Sequence, residues 1–121
     1  GAFPLDGGAK KLTEYLAWAF NRSRARYCET CRDTIRADCD SCEWRRPEIV
    51  SGNRAVLELW THTQGQWRTG LGGLVGLDLP AVFSVAQVLG IPISPALLRK
   101  LRMIEAAALA AQSRKKPTRE D

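Results

Sequence analysis

A chain of 121 residues accommodates one small domain with a modest helical core and leaves no room for two independent enzyme-sized units. Its formal charge of +5, from 18 Lys and Arg against 13 Asp and Glu, points to an acidic partner, although four thiolates around one divalent zinc would lower that balance by two charges. The opening GAFPLDGGAKK lacks a basic segment followed by an apolar run and a cleavage site, so no secretory signal is read, and the four cysteines are expected to meet reducing conditions that favour thiolates over disulfides.

Residues 1–27 read as an N-terminal helical arm. In KKLTEYLAWAFNRSRARY, Leu12, Leu16, Ala19 and Tyr27, with Tyr15 and Phe20, recur at roughly helical intervals and mark a face that needs a partner. Arg22, Arg24 and Arg26 fall in the second half, where cations suit a helix C-terminus, and a solvated end is preferred to a phosphate contact.

Residues 28–46 hold all four cysteines as Cys28-x2-Cys31, seven intervening residues, then Cys39-x2-Cys42. Each pair can form a tight turn, and the intervening span can bring the turns together around a tetrahedral ion. Ile35 is the only large aliphatic side chain in the segment, so apolar burial cannot offset the entropy of ordering it. Structural zinc on Cys28, Cys31, Cys39 and Cys42 supplies the missing energy. Iron on the same sulfurs and disulfides are weaker alternatives, and a thioredoxin-like role lacks the strand before and the helix after the CxxC. Arg22, Arg24, Arg26, Arg32, Arg36, Arg45 and Arg46 raise the possibility of a nucleic-acid-binding zinc module, but Glu29, Asp33, Asp38, Asp40 and Glu43 interleave with them and make the field mixed.

Residues 47–112 form the main helical domain. Asn53 is an expected N-cap, and Val56, Trp60, Thr63 and Trp67 fall at intervals of four, three and four, with Leu57 and Leu59 broadening the stripe. Gly65 weakens the last turn of that helix, and Trp60 and Trp67 are core anchors before they are partner anchors. The segment RTGLGGLVGLD is too rich in glycine for a helix and is expected to be a turn or mobile loop. No strand pair is read, and Gly70, Gly72, Gly73 and Gly76 meet neither the phosphate-loop nor the dinucleotide spacing.

Asp78 caps the next helix with Pro80 in its first turn, and Gly90 stops it. Ser94 followed by Pro95 starts the last helix, whose face runs through Leu97, Leu101, Ile104 and Ala108, with Leu98, Met103 and Leu109 beside it. Arg102 and Glu105, three apart, are expected to form a weak surface pair. Residues 113–121 alternate charge without an apolar anchor and are expected to be disordered. The uncharged stretch from Leu79 to Leu98 is punctuated by Pro80, Gly90, Pro92, Ser94 and Pro95, so no bilayer span is read. The only histidine, His62, lies one turn after Glu58, and no nucleophile pattern accompanies it; the chain is read as non-enzymatic.

From Asn53 onward, NRAVLELW, TQGQWRTGLGGLVGLD and LRKLRMIEAAAL resemble a family of small phage and prophage proteins encoded in the tail-assembly module of long-tailed phages, beside the tail assembly chaperone and tape-measure genes. Gln66-Trp67-Arg68, Gly73, Gly76-Leu77-Asp78 and Glu105 carry the likeness most clearly, over about residues 47–110. Gly65 departs from the continuous TQW of the family pattern.

The resemblance implies a mostly helical protein without catalysis, linked to tail morphogenesis in the cytoplasm of the bacterial host. The combined expectation is a mainly α domain of three to four helices with an inserted four-cysteine zinc knuckle, acting as a chaperone-like or accessory tail assembly factor. Its expected partners are the major tail protein, the tail assembly chaperone or the tape-measure protein; retention as a structural component of the mature tail is the further alternative. Trp67, Arg68, Gly73 and Gly76 are the partner-contact candidates, Trp67 and Arg68 foremost, provided that Arg68 is exposed beside an incompletely buried ring.

Overall fold

The computed structural model describes residues 7–32 and 42–115, so Cys39 lies outside the described residues. The chain divides into two compact units, Gly1–Val50 and Ser51–Asp121. It is mainly helical: among the described residues there are five α-helices, more than the three to four expected, and one two-stranded sheet that was not expected at all.

In the first unit the expected single helix is two, α1 (Gly7–Ala19) and α2 (Arg22–Arg32). The break is local chemistry. Asn21 Oδ1 accepts the Arg24 amide at 2.9 Å, capping the start of α2. Arg24 reaches back and donates from Nε to the Trp18 carbonyl at 3.1 Å, which also accepts the Asn21 amide at 3.2 Å, and from its terminal nitrogen to the Ala19 carbonyl at 2.9 Å, so its side chain helps satisfy the acceptors at the end of α1. Its guanidinium lies 4.2 Å from the centre of the Trp18 ring. Leu12 and Leu16 are the buried residues of α1, as their spacing predicted.

The second unit opens on a 3-10 turn, Ser51–Asn53, and continues through α3 (Arg54–Thr63), strands β1 (Trp67–Gly70) and β2 (Gly73–Leu77), α4 (Leu79–Leu89) and α5 (Pro95–Lys115). Asn53 stands at the N-cap of α3, but its side chain makes no capping hydrogen bond. α3 packs on α4 and α5, and β2 packs on α5. Val56, Leu59, Val82, Ala86, Leu101 and Ile104 are essentially inaccessible to solvent and form the core.

α3 ends four residues before Trp67, which sits on β1 and not on the helix where its spacing placed it. The antiparallel register pairs Trp67 with Leu77, Arg68 with Gly76, Thr69 with Leu74 and Gly70 with Gly73, leaving Val75 as the extra residue of a bulge. Leu71 and Gly72 make the turn. The Asp78 amide donates to the Gln66 carbonyl at 2.9 Å and closes the base of the hairpin.

The helix punctuation agrees with the sequence. Asp78 Oδ1 accepts the Ala81 amide at 3.3 Å, and Ser94 Oγ accepts the Leu97 amide at 3.1 Å. Gly90, at φ +74°, ends α4: its amide donates to the Gln87 carbonyl at 3.2 Å and that of Ile91 to the Ala86 carbonyl at 2.9 Å, the paired bonds of a left-handed helix stop. α5 continues through Lys115. No helix among the described residues is long and apolar enough to cross a membrane.

Candidate functional site

The residues singled out in the hairpin fall into two groups, one exposed and one buried. Trp67 is half-buried, its ring edge-on to Trp60 at 6.1 Å between centroids, and its indole Nε1 donates to the Gln64 carbonyl at 2.6 Å. Arg68 and Gly73 are exposed, whereas Gly76 is buried. Arg68 is thus exposed and Trp67 incompletely buried, but as successive residues of β1 they face opposite sides of the hairpin.

Gly76 lies beneath Glu105. A Cβ at position 76 would stand 3.0 Å from Glu105 Oε2, so any larger residue would push the carboxylate back from the strand. Glu105 Oε2 accepts the Leu77 amide at 2.8 Å, and Arg102 donates to Oε1 at 2.8 Å. The pair expected to be a weak surface bridge is therefore half internal: Glu105 is 8% exposed and joins α5 to β2, while Arg102 reaches it from the solvent side. Periodicity reads position 105 as the polar flank of α5, and only the hairpin explains a buried acid there.

Beyond this clamp the hairpin is apolar. Leu71 projects fully into solvent, with Val75 56% and Leu74 36% exposed. Arg68 is the only charged residue between His62 and Asp78. These tip residues were not singled out in the sequence; their signal was a run of uncharged residues around a tight turn.

In the other unit, Cys28 and Cys31 lie three apart near the end of α2, on one helix face and not in the tight turn expected of them. Cys42 begins a turn in which the Arg45 amide donates to the Cys42 carbonyl at 3.1 Å and the Trp44 amide to its sulfur at 3.3 Å. All three cysteines are half-buried and form no disulfide. Charge on Cys42, then on Cys31, pushes the hydroxyl of the exposed Tyr27 above its ordinary range, with slight desolvation, a hydrogen bond to Cys42 and the Glu43 charge acting in the same direction. Cys31 and Cys42 thus share one neighbour, although among the described residues no three potential ligands converge as a metal site.

Trp44, not singled out in the sequence, ties this region together. Its carbonyl accepts the Trp18 indole N–H at 2.6 Å, and its ring lies 6.4 Å from that of Tyr27. Cys28 and Cys31 on one face of α2 and Cys42 on a turn are sulfur donors of the kind zinc takes, and the Cys42 sulfur receives the Trp44 amide.

These features define a small, mainly helical protein that holds a glycine-rich hairpin against its last helix and presents the hairpin's outer half to solvent. The chain belongs to the family described as phage related hypothetical protein (DUF1799), which it matches over residues 40–112, more than half its length. The match takes in the whole hairpin, the Glu105 clamp and Cys42, and leaves Cys28, Cys31 and Cys39 outside. No curated protein and no solved structure matches the chain.

Proposed function

We propose that the protein is a non-enzymatic phage tail assembly factor, chaperone-like or accessory, that works by protein–protein contact in the cytoplasm of the bacterial host. Membership of a phage-related family supports the setting, and the resemblance of residues 47–110 to tail-module proteins supports the narrower one. The observation that carries the contact role is the hairpin's β1, where an exposed Arg68, the hairpin's only charge, follows a half-buried Trp67. Tryptophan and arginine together offer apolar area and directional bonds, the combination that dominates binding at protein interfaces.

The partners are tail proteins: the major tail protein, the tail assembly chaperone or the tape-measure protein. A structural zinc on Cys28, Cys31, Cys39 and Cys42 supplies binding energy to a stretch of sequence whose only large aliphatic side chain is Ile35. A nucleic-acid role is less well supported, because Arg24 is committed to the Trp18 ring and to two helix-end carbonyls. Co-expression with each candidate tail protein, followed by co-purification, tests the proposal. Capture of one of them supports it; capture of none, with normal tails built by phage lacking the gene, overturns it. Finding the chain in purified particles would make it a component of the mature tail.

A further inference from the structure

In the first unit, one hydrogen bond joins regions 26 positions apart: the Trp18 indole Nε1, on α1, donates to the Trp44 carbonyl at 2.6 Å. Two neighbours fix the direction of the indole. The Tyr15 ring lies tilted against it at 5.6 Å between centroids, and the Arg24 guanidinium stands 4.2 Å from its centre. Arg24 is fixed in turn by its bonds to the Trp18 and Ala19 carbonyls. The donor is therefore aimed by α1 together with the start of α2.

Trp44 carries that restraint to a sulfur. Its own amide donates to Cys42 Sγ at 3.3 Å, within the turn closed by the Arg45 amide on the Cys42 carbonyl at 3.1 Å. Its ring lies 6.4 Å from that of Tyr27, whose hydroxyl bonds to the same sulfur. An N–H or O–H aimed at a sulfur favours the thiolate, the form that ligates metal, and metal ligands depend on such outer partners for their orientation. α1 has its own need of the contact, because a helix of 13 residues is marginal by itself.

We infer that α1 is part of the support of the metal site: Trp18, acting through Trp44, is a positioning residue for the Cys42 ligand, and zinc binding in turn fastens α1. This role of Trp18 rests on the zinc proposed above. Coupling of this kind is reciprocal, so the factor by which the Trp18 bond raises zinc affinity is also the factor by which zinc strengthens that bond. Loss of an outer partner of a metal ligand costs about 10–100-fold in affinity, and Trp18, which acts through Trp44, belongs at the lower end.

Hydrogen exchange of the full-length protein, read by mass spectrometry over residues 7–19 in zinc-free and zinc-loaded samples, tests the coupling alongside zinc affinity measured against a competing chelator. Wild-type α1 should exchange about tenfold more slowly with zinc than without it. Trp18→Phe, which keeps a ring and removes the N–H, should bind zinc about tenfold more weakly and lose most of the zinc-dependent slowing. A Trp18 that serves only the packing of α1 would loosen the helix equally in both samples and leave the zinc-dependent difference intact, which would overturn the inference. Zinc bound by the wild type with no change of exchange in α1 would also overturn it, without recourse to any variant, and would leave the zinc proposal standing. Wild type that binds no zinc would overturn both together.

Discussion

Glu105 on α5 accepts the backbone N–H of Leu77 on β2 at 2.8 Å, across 28 positions of sequence, and does so over a glycine. Removing the carboxylate leaves a buried amide without its acceptor, so Glu105→Ala should lower stability by about 1.5–3 kcal/mol, and Glu105→Gln, which retains an acceptor oxygen, by less. Denaturant unfolding of the three proteins checks the order.

Gly76→Ala pushes a methyl group into that carboxylate and should cost about 1–3 kcal/mol. In a Glu105→Ala background the clash is gone, and the cost should shrink. The double-mutant cycle measures the coupling directly, and strict additivity would count against the contact.

Gly90→Ala should destabilise by about 1 kcal/mol, because a side chain at φ +74° is strained although nothing crowds it. Thermal melting of the variant reads this effect. A neutral substitution would mean that the end of α4 relaxes away from the left-handed stop.

Zinc should be present near one ion per chain in chelator-free, reducing preparations, and should be lost in Cys31→Ser and in Cys39→Ser. Elemental analysis of the purified proteins decides this. Metal-free wild type prepared in that way would remove zinc from the account.

The caps at Asp78, Gly90 and Ser94 were legible because each is a contract between one side chain, or one glycine, and its nearest amides. The hairpin was not, since glycine disfavours strands and the hydrogen bond that anchors β2 comes from a residue 28 positions away. Trp67 fell seven positions after Trp60, a spacing that mimics one helix face, while the decisive signal was the interruption at Gly65. Asn21 sits inside an apparently continuous helical pattern, which hides a side chain that accepts the Arg24 backbone amide and divides α1 from α2. Of the proposed contact surface, Trp67 and Arg68 could be named from residue type, but the exposure of Leu71 and Val75 follows from the turn and bulge, which periodicity does not encode.

The most direct measurement of the central claim is native mass spectrometry of wild-type and Arg68→Glu protein, each co-expressed with the major tail protein, the tail assembly chaperone and the tape-measure protein. Arg68 is exposed and its reversal should leave the fold unchanged, as circular dichroism would show. The account predicts a wild-type complex with one of these proteins that is absent, or at least tenfold weaker, with Arg68→Glu. A complex of equal strength with both proteins, or none with either, would contradict the claim that this hairpin is the docking surface.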